Sequence, residues 1–189
     1  MVWRLLSNCV FAGNPFPFVP NKDGSPPDLP NSVSYLHRLS VNLSGKNKSY
    51  GIEKLYPLIA PLPRQDDRYN TMPYRYGFMA CPEPNASNPA TAAACYARVD
   101  NETRTFKLWN AGNRLSLAEP VFAPKSAQAR EGEGYLIGVA YHLDQGLRSD
   151  LVILDAEHLD EGPIATVKLP LQASPQVHGW WVREDQYPT

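Results

Sequence analysis

The sequence has few cysteines and lacks any long apolar run. Its three cysteines are an odd number without the paired spacing of metal ligands: Cys9, Cys81 and Cys95. This argues against a disulfide framework and a structural zinc site, and it is typical of a reducing compartment. No apolar stretch approaches the roughly 18 residues of a transmembrane helix, and residues 1–6 are too short an apolar run for a secretory signal. We therefore expect a cytoplasmic protein without a transmembrane segment.

Concentrated positive charge is also absent. The formal net charge is −1, and the 18 basic residues are spread along the chain. Without a basic patch, we expect no nucleic-acid partner. The sequence also lacks a phosphate-binding glycine loop, a Gly-x-Ser-x-Gly elbow and a His-Glu-x-x-His motif. These absences exclude the common nucleotide-binding, serine-hydrolase and zinc-protease classes.

Short apolar segments separated by turn residues make up most of the chain. The predicted strands are 33–41, 50–60, 73–81, 95–100, 103–109, 119–124, 134–143, 150–155 and 164–169. Strands at intervals of roughly ten residues predict an all-β sandwich, barrel or propeller. Residues 1–32 are predicted to be a loop-rich lead-in, 82–94 an exposed loop, and only 156–159 indicates a helical turn.

The four histidines are the candidate metal ligands, since imidazole binds iron, copper, zinc and nickel. His37 and His142 lie on amphipathic segments near polar neighbours, and His158 lies in an acidic turn. We interpret these three as surface or strand-edge residues. His178 differs because its flanks are uncharged and aromatic, and Gly179 permits close backbone approach. From the residues alone, His178 is either a core histidine or a ligand.

Two charged features carry alternative interpretations. Glu119 is the only acidic residue in an apolar window, and a buried carboxylate there needs a partner. One such role is to accept the outer N–H of a metal-bound histidine, and the alternative is an exposed loop glutamate. Residues 63–69 form a dense charged turn. It either recognises a substrate carboxylate or is an Arg–Asp network that pins a loop.

A set of motifs occurs in a characteristic order along the chain. These are Pro-Arg-Gln-Asp at 63–66, Tyr-Arg-Tyr-Gly at 74–77, Glu-Pro-Val-Phe-Ala-Pro at 119–124, segments 131–136, 148–156 and 164–170, and His-Gly at 178–179. The set resembles the C-terminal end of the carotenoid cleavage oxygenases, in their lignostilbene dioxygenase-like branch. The likeness covers nearly the whole chain.

The resemblance implies a seven-bladed β-propeller that holds a non-haem Fe(II) by four histidines. Glutamates orient three of those histidines. The family uses dioxygen to cleave a conjugated C=C bond of a carotenoid, apocarotenoid or stilbene-like substrate into two carbonyl products. By this resemblance His178 is the last iron ligand and Glu119 is an orienting glutamate. Phe122 and Trp180 are expected to line part of the substrate tunnel, although core packing explains aromatic residues equally well.

The sequence also departs from the family pattern. Residues 61–62 are Pro-Leu where the family has a glutamate, and Val177 stands where phenylalanine is common. The other three iron histidines belong to segments upstream of this chain. We therefore expect residues 1–189 to be a single partial domain, roughly two or three blades, and to be inactive alone.

Two further interpretations of this truncation remain open. One is a non-catalytic truncated paralogue that acts as an interaction module and pairs with a partner through exposed strand edges. The other is a shortened reading frame.

Overall fold

A computed structural model describes residues 4–11, 22–25, 34–42, 49–60, 62–84, 93–175 and 177–187. Nearly all regular structure in these residues is β-strand. The strands are β1 (Arg4–Phe11), β2 (Tyr35–Asn42), β3 (Ser49–Ile59), β4 (Pro63–Gln65), β5 (Tyr76–Cys81), β6 (Cys95–Asp100), β7 (Thr105–Asn110), β8 (Leu115–Leu117), β9 (Val121–Pro124), β10 (Gly134–His142), β11 (Arg148–Asp155) and β12 (Pro163–Lys168). Short 3-10 helices span Asp67–Tyr69, Leu159–Glu161 and Glu184–Gln186. The all-β prediction is confirmed.

The first of two compact units, residues 1–61 with 84–91, contains one antiparallel sheet in the order β1-β2-β3. The β2–β3 ladder shifts register between Tyr35 and His37, where β3 has extra residues opposite β2. The far end of β3 is the buried one, with Leu55, Tyr56 and Leu58 inside. Burial of these apolar side chains stabilises the unit.

The second unit, residues 62–83 with 92–189, contains two antiparallel sheets. One has the order β4-β5-β6-β7, and the other β12-β11-β10-β8, with β9 also paired to β10. Tight turns join the long strands because residues there adopt positive φ, as at Arg104 between β6 and β7 and at Gly146 between β10 and β11. No helix among the described residues is long and apolar enough to cross a membrane.

The apolar core of the second unit is formed by both sheets. Phe78 of β5 stacks on Phe122 of β9, with ring centres 5.0 Å apart and 11° between the planes. Tyr96 of β6 is fully buried, and its hydroxyl donates a hydrogen bond of 3.0 Å to the carbonyl oxygen of Ala118. A side chain at Gly138 of β10 would collide with that hydroxyl. The core therefore fixes the backbone next to Glu119.

Each of the nine predicted segments contains a strand, and three further strands were not predicted. These are β1, β4 and β8, of which β1 lies inside the predicted loop-rich lead-in. The rest of that lead-in, apart from 22–25, lies outside the described residues, as does most of the predicted loop at 82–94. Cys81 and Cys95 are register partners on β5 and β6 and are buried free thiols. The prediction of a single partial domain stays a prediction.

Candidate functional site

The structure brings His178 and Glu119 together although 59 residues separate them in the sequence. Nδ1 of His178 lies 2.9 Å from Oε2 of Glu119. The side chain of Glu119 is only 2% exposed, whereas that of His178 is 56% exposed. A buried carboxylate thus holds one edge of an imidazole whose other edge is accessible.

Two hydrogen bonds to the backbone of Ala118 position Glu119 between β8 and β9. The amide of Ala118 donates to the carbonyl of Val139 on β10, and the Ala118 carbonyl accepts from Tyr96. Burial raises the pKa of Tyr96 well above its usual value, so its hydroxyl remains a donor. Pro120 follows directly and is fully buried, which fixes the backbone on the other side of the carboxylate.

The hydrogen bond determines which tautomer His178 adopts when the ring is neutral. An ionised carboxylate has no proton to donate, so Nδ1 must carry the hydrogen. Nε2 then keeps its lone pair and is the ring nitrogen that can bind a metal. This is the arrangement in which a carboxylate orients a metal-binding histidine and increases its basicity.

The other three histidines lie in different surroundings. Nδ1 of His37 contacts the carbonyl of Tyr35 at 2.9 Å, within the first unit. His142 lies at the end of β10, where Nε2 is 2.7 Å from Asp150. His158 is exposed, with Nδ1 3.6 Å from Asp155. Among the described residues, no three His, Cys, Asp or Glu side chains are placed to hold one metal ion.

The charged turn at 63–69 is organised by its two arginines. Arg68 binds Asp66 with a closest distance of 2.6 Å, and this hydrogen bond raises the pKa of Arg68. The same guanidinium donates to the backbone carbonyls of Ser126, Ala127, Ala129 and Arg130, with 2.9 Å to Ala129. This part of the turn pins a loop, as one of the two sequence interpretations proposed. The second arginine, Arg64, contacts Glu119, and no local sequence signal predicts this contact.

The two predicted tunnel aromatics have different environments. Phe122 is buried in the core stack against Phe78. The residue also lines a cleft of about 280 Å³ together with Trp181 and Arg183. Trp180 is 70% exposed and lies 5.3 Å from the guanidinium carbon of Arg64. No substrate role is tested by these positions, so the tunnel assignment stays a prediction.

The chain matches the family profile described as retinal pigment epithelial membrane protein over residues 6–183. This profile represents the carotenoid cleavage oxygenases. The chain belongs to this family. Its sequence is 37% identical over 173 residues to isoeugenol monooxygenase of Pseudomonas putida, covering 88% of the chain and 36% of that protein. It is 33% identical over 183 residues to lignostilbene-alpha,beta-dioxygenase isozyme III of Sphingomonas paucimobilis, covering 93% and 37%.

The fold agrees with solved carotenoid cleavage oxygenases. Lignostilbene dioxygenase of Pseudomonas brassicacearum superposes with a TM-score of 0.86 and 27% identity, covering 95% of this chain and 39% of that one. The sheets described above are therefore blades of the family's β-propeller. The chain spans a little over a third of the length of the curated relatives it matches.

Proposed function

We propose that this chain forms part of an Fe(II)-dependent oxygenase that cleaves a conjugated carbon–carbon double bond. In this proposal His178 is one iron ligand, and Glu119 orients it. The observation that carries the proposal is the 2.9 Å contact between Nδ1 of His178 and the buried Glu119 carboxylate. The Glu119 side chain is 2% exposed, so the carboxylate holds the imidazole from within the core while the other edge of the ring is accessible.

The described residues offer one nitrogen that suits an iron site, Nε2 of His178. An imidazole with Nδ1–H held by a carboxylate presents a neutral nitrogen lone pair, which suits Fe(II). The described residues contain no cluster that could complete the coordination. We propose that the remaining ligands come from outside this chain. The iron, when bound, supplies activation of dioxygen next to the alkene.

The residues of this chain have positioning roles in that reaction. Glu119 keeps the His178 ring in one tautomer and one orientation, so the lone pair of Nε2 is fixed in direction. The Phe78–Phe122 stack and the Tyr96 hydroxyl hold the backbone that carries Glu119. A preorganised ligand loses less conformational entropy on metal binding than a mobile side chain does.

For the substrate we propose an alkene conjugated to an aromatic ring, in the stilbene or phenylpropenoid class, rather than a carotenoid or apocarotenoid. Support comes from the relatives that match about nine-tenths of the chain, whose names specify isoeugenol and lignostilbene. Dioxygen is the co-substrate.

The test uses the protein as its source cells produce it, captured with an antibody against this chain. It is supplied separately with isoeugenol, a hydroxystilbene and a carotenoid under 18-O-labelled dioxygen. We expect labelled aldehyde products from an aryl alkene with the captured protein, and none with the 189-residue chain alone. Absence of any cleavage by an iron-loaded captured protein contradicts the proposed reaction.

A second candidate is a non-catalytic interaction module. It is favoured by β12, an edge strand of the five-stranded sheet whose six residues are all exposed, including Ile164 and Val167. An exposed apolar edge can pair with a strand of another chain. Capture of a defined, iron-free complex without cleavage activity supports this candidate over the oxygenase.

A further inference from the structure

Arg64 of β4 contacts the carboxylate oxygen of Glu119 that His178 does not use. Its Nε is 3.6 Å from Oε1 of Glu119, while His178 is bound by Oε2. The arginine side chain is 13% exposed. Among the described residues, Arg64 is the one arginine or lysine within ion-pair distance of Glu119. It therefore offsets a buried negative charge that would otherwise be costly.

The same arginine also holds the chain segment that carries His178. Its Nη2 donates a hydrogen bond of 3.2 Å to the carbonyl oxygen of Gly179, the next residue. Among the described residues, 177–182 make no backbone–backbone hydrogen bond, so this segment depends on side-chain anchors. Trp180 adds a third contact, with its ring 5.3 Å from the guanidinium carbon.

Asp67 keeps the guanidinium itself in place. Its Oδ2 lies 3.5 Å from Nη2 of Arg64, three residues away on the turn after β4. β4 is paired with β5, so the arginine projects from a strand of the sheet rather than from a free loop. An arginine has a planar fork that can contact a carboxylate and a carbonyl at the same time, which a lysine ammonium cannot reproduce.

We propose that Arg64 is a positioning residue for His178, acting through the Glu119 carboxylate and the Gly179 carbonyl. Arg64 contacts the Glu119 carboxylate, which accepts the hydrogen bond from Nδ1–H, and the backbone next to His178, which carries the donor. One side chain therefore holds both partners of that hydrogen bond. Its role towards iron rests on the proposed function. Its role in setting the tautomer of His178 does not, because that can be measured without metal.

The experiment measures the tautomer of His178 by nitrogen NMR of 15-N-histidine-labelled, metal-free chain at about pH 8, where a free imidazole is neutral. His178→Gln identifies the signals. We expect the Nδ1–H form in the wild-type chain and its loss to a mixture of tautomers in Arg64→Met. Arg64→Lys is expected to retain the form in part, because it keeps the charge but loses the fork.

Arg68→Met is the matched control. Arg68 is on the same turn and has its own buried ion pair with Asp66, but its described contacts do not include Glu119 or Gly179. It should lower the melting temperature of the chain and leave the His178 tautomer unchanged. If Arg64→Met fails to fold, the His178 tautomer is compared between Arg64→Lys and Arg68→Met. A change in Arg64→Lys alone then supports the positioning role.

Unchanged His178 signals in a folded Arg64 variant overturn the proposal, as does an equal tautomer change in Arg68→Met. Iron binding is measured separately on the captured protein, where Arg64→Met should weaken retention about 10-fold. If the tautomer changes but the wild-type captured protein holds no iron, the positioning role stands and the proposed oxygenase function fails.

Discussion

At the scale of single residues, the central feature is a histidine whose two ring nitrogens have different surroundings. Nδ1 of His178 is bound to Glu119, and Nε2 is available. The buried carboxylate and the half-exposed ring form a polarised pair at the margin of the core. This asymmetry is what a metal ligand needs and what a surface histidine such as His158 lacks.

The function of Glu119 can be tested by removing its carboxylate. Glu119→Ala should reduce the affinity of the captured protein for Fe(II) about 10- to 100-fold, because the ring loses its orienting acceptor. Glu119→Gln should cause a smaller loss, since an amide oxygen still accepts from Nδ1–H. Iron release into a chelator measures the effect. Glu161→Ala, at an exposed site, is the control, and iron retention by Glu119→Ala equal to that control contradicts the assignment.

Residue identities alone identified His178 and Glu119 only as candidates. The uncharged flanks of His178 were also compatible with a core histidine, and the isolated acid at 119 with a loop glutamate. The family resemblance gave the two residues their expected roles. Arg64 could not be assigned in this way. Its partners Glu119 and Gly179 lie far along the chain, and its neighbour Arg68 has the same local sequence signals but pins a loop.

At the scale of elements, the segment after β12 approaches β9 closely at Gly179. A Cβ built there would lie 2.8 Å from Cγ2 of Val121, closer than real Cβ contacts. The glycine was expected to permit close backbone approach, and the structure confirms this.

Gly179→Ala should displace the segment and weaken the His178–Glu119 hydrogen bond. Adding Val121→Ala should restore it, because the second change removes the methyl group in the way. The Nδ1–H fraction of His178 measured by nitrogen NMR reports both effects. Losses that simply add in the double variant would mean that the two residues are not in contact.

The β6–β7 turn contributes stability that depends on pH. Burial alone would raise the pKa of Asp100, but hydrogen bonds from Arg75 and from the amides of Glu102 and Thr103 lower it to about 2. A lowered folded-state pKa favours folding above the ordinary value of 3.8, and this contribution is lost as pH falls towards 2.

Asp100→Asn should therefore lower the free energy of unfolding at pH 7 by about 2 kcal/mol. The difference from wild type should shrink between about pH 4 and pH 2, where Asp100 itself becomes protonated. Urea unfolding across that range measures it, with Asp144→Asn as a more exposed control. A destabilisation that stays constant down to pH 2 would show that charge is not the cause.

The strands themselves were largely predictable from apolar runs and turn residues. β10 and β11 have long apolar patterns bounded by Asp-Gln-Gly, and both were predicted within two residues. The three-residue strands β4 and β8 were missed because such short segments have no measurable periodicity. Their pairing with β5 and β10 comes from tertiary contacts rather than from local preference.

At the scale of the whole molecule, the chain presents blades of a propeller, and one of them carries His178, the residue that we propose as an iron ligand. The match covers nearly all of this chain but only 36% of isoeugenol monooxygenase and 37% of lignostilbene dioxygenase isozyme III. His178 and Glu119 belong to one compact unit. The family resemblance predicted that His178 is the one iron histidine in this chain and that the other three belong to upstream segments, and this stays a prediction.

The most direct test of the central claim compares iron retained by three samples. They are the protein captured from source cells, the same protein with His178→Ala, and the 189-residue chain alone. We expect about one tightly held iron per captured molecule, its loss in His178→Ala, and only weak binding by the chain alone, because one imidazole cannot hold Fe(II) against water. Stoichiometric tight iron in the isolated chain, or full retention in His178→Ala, would contradict the account.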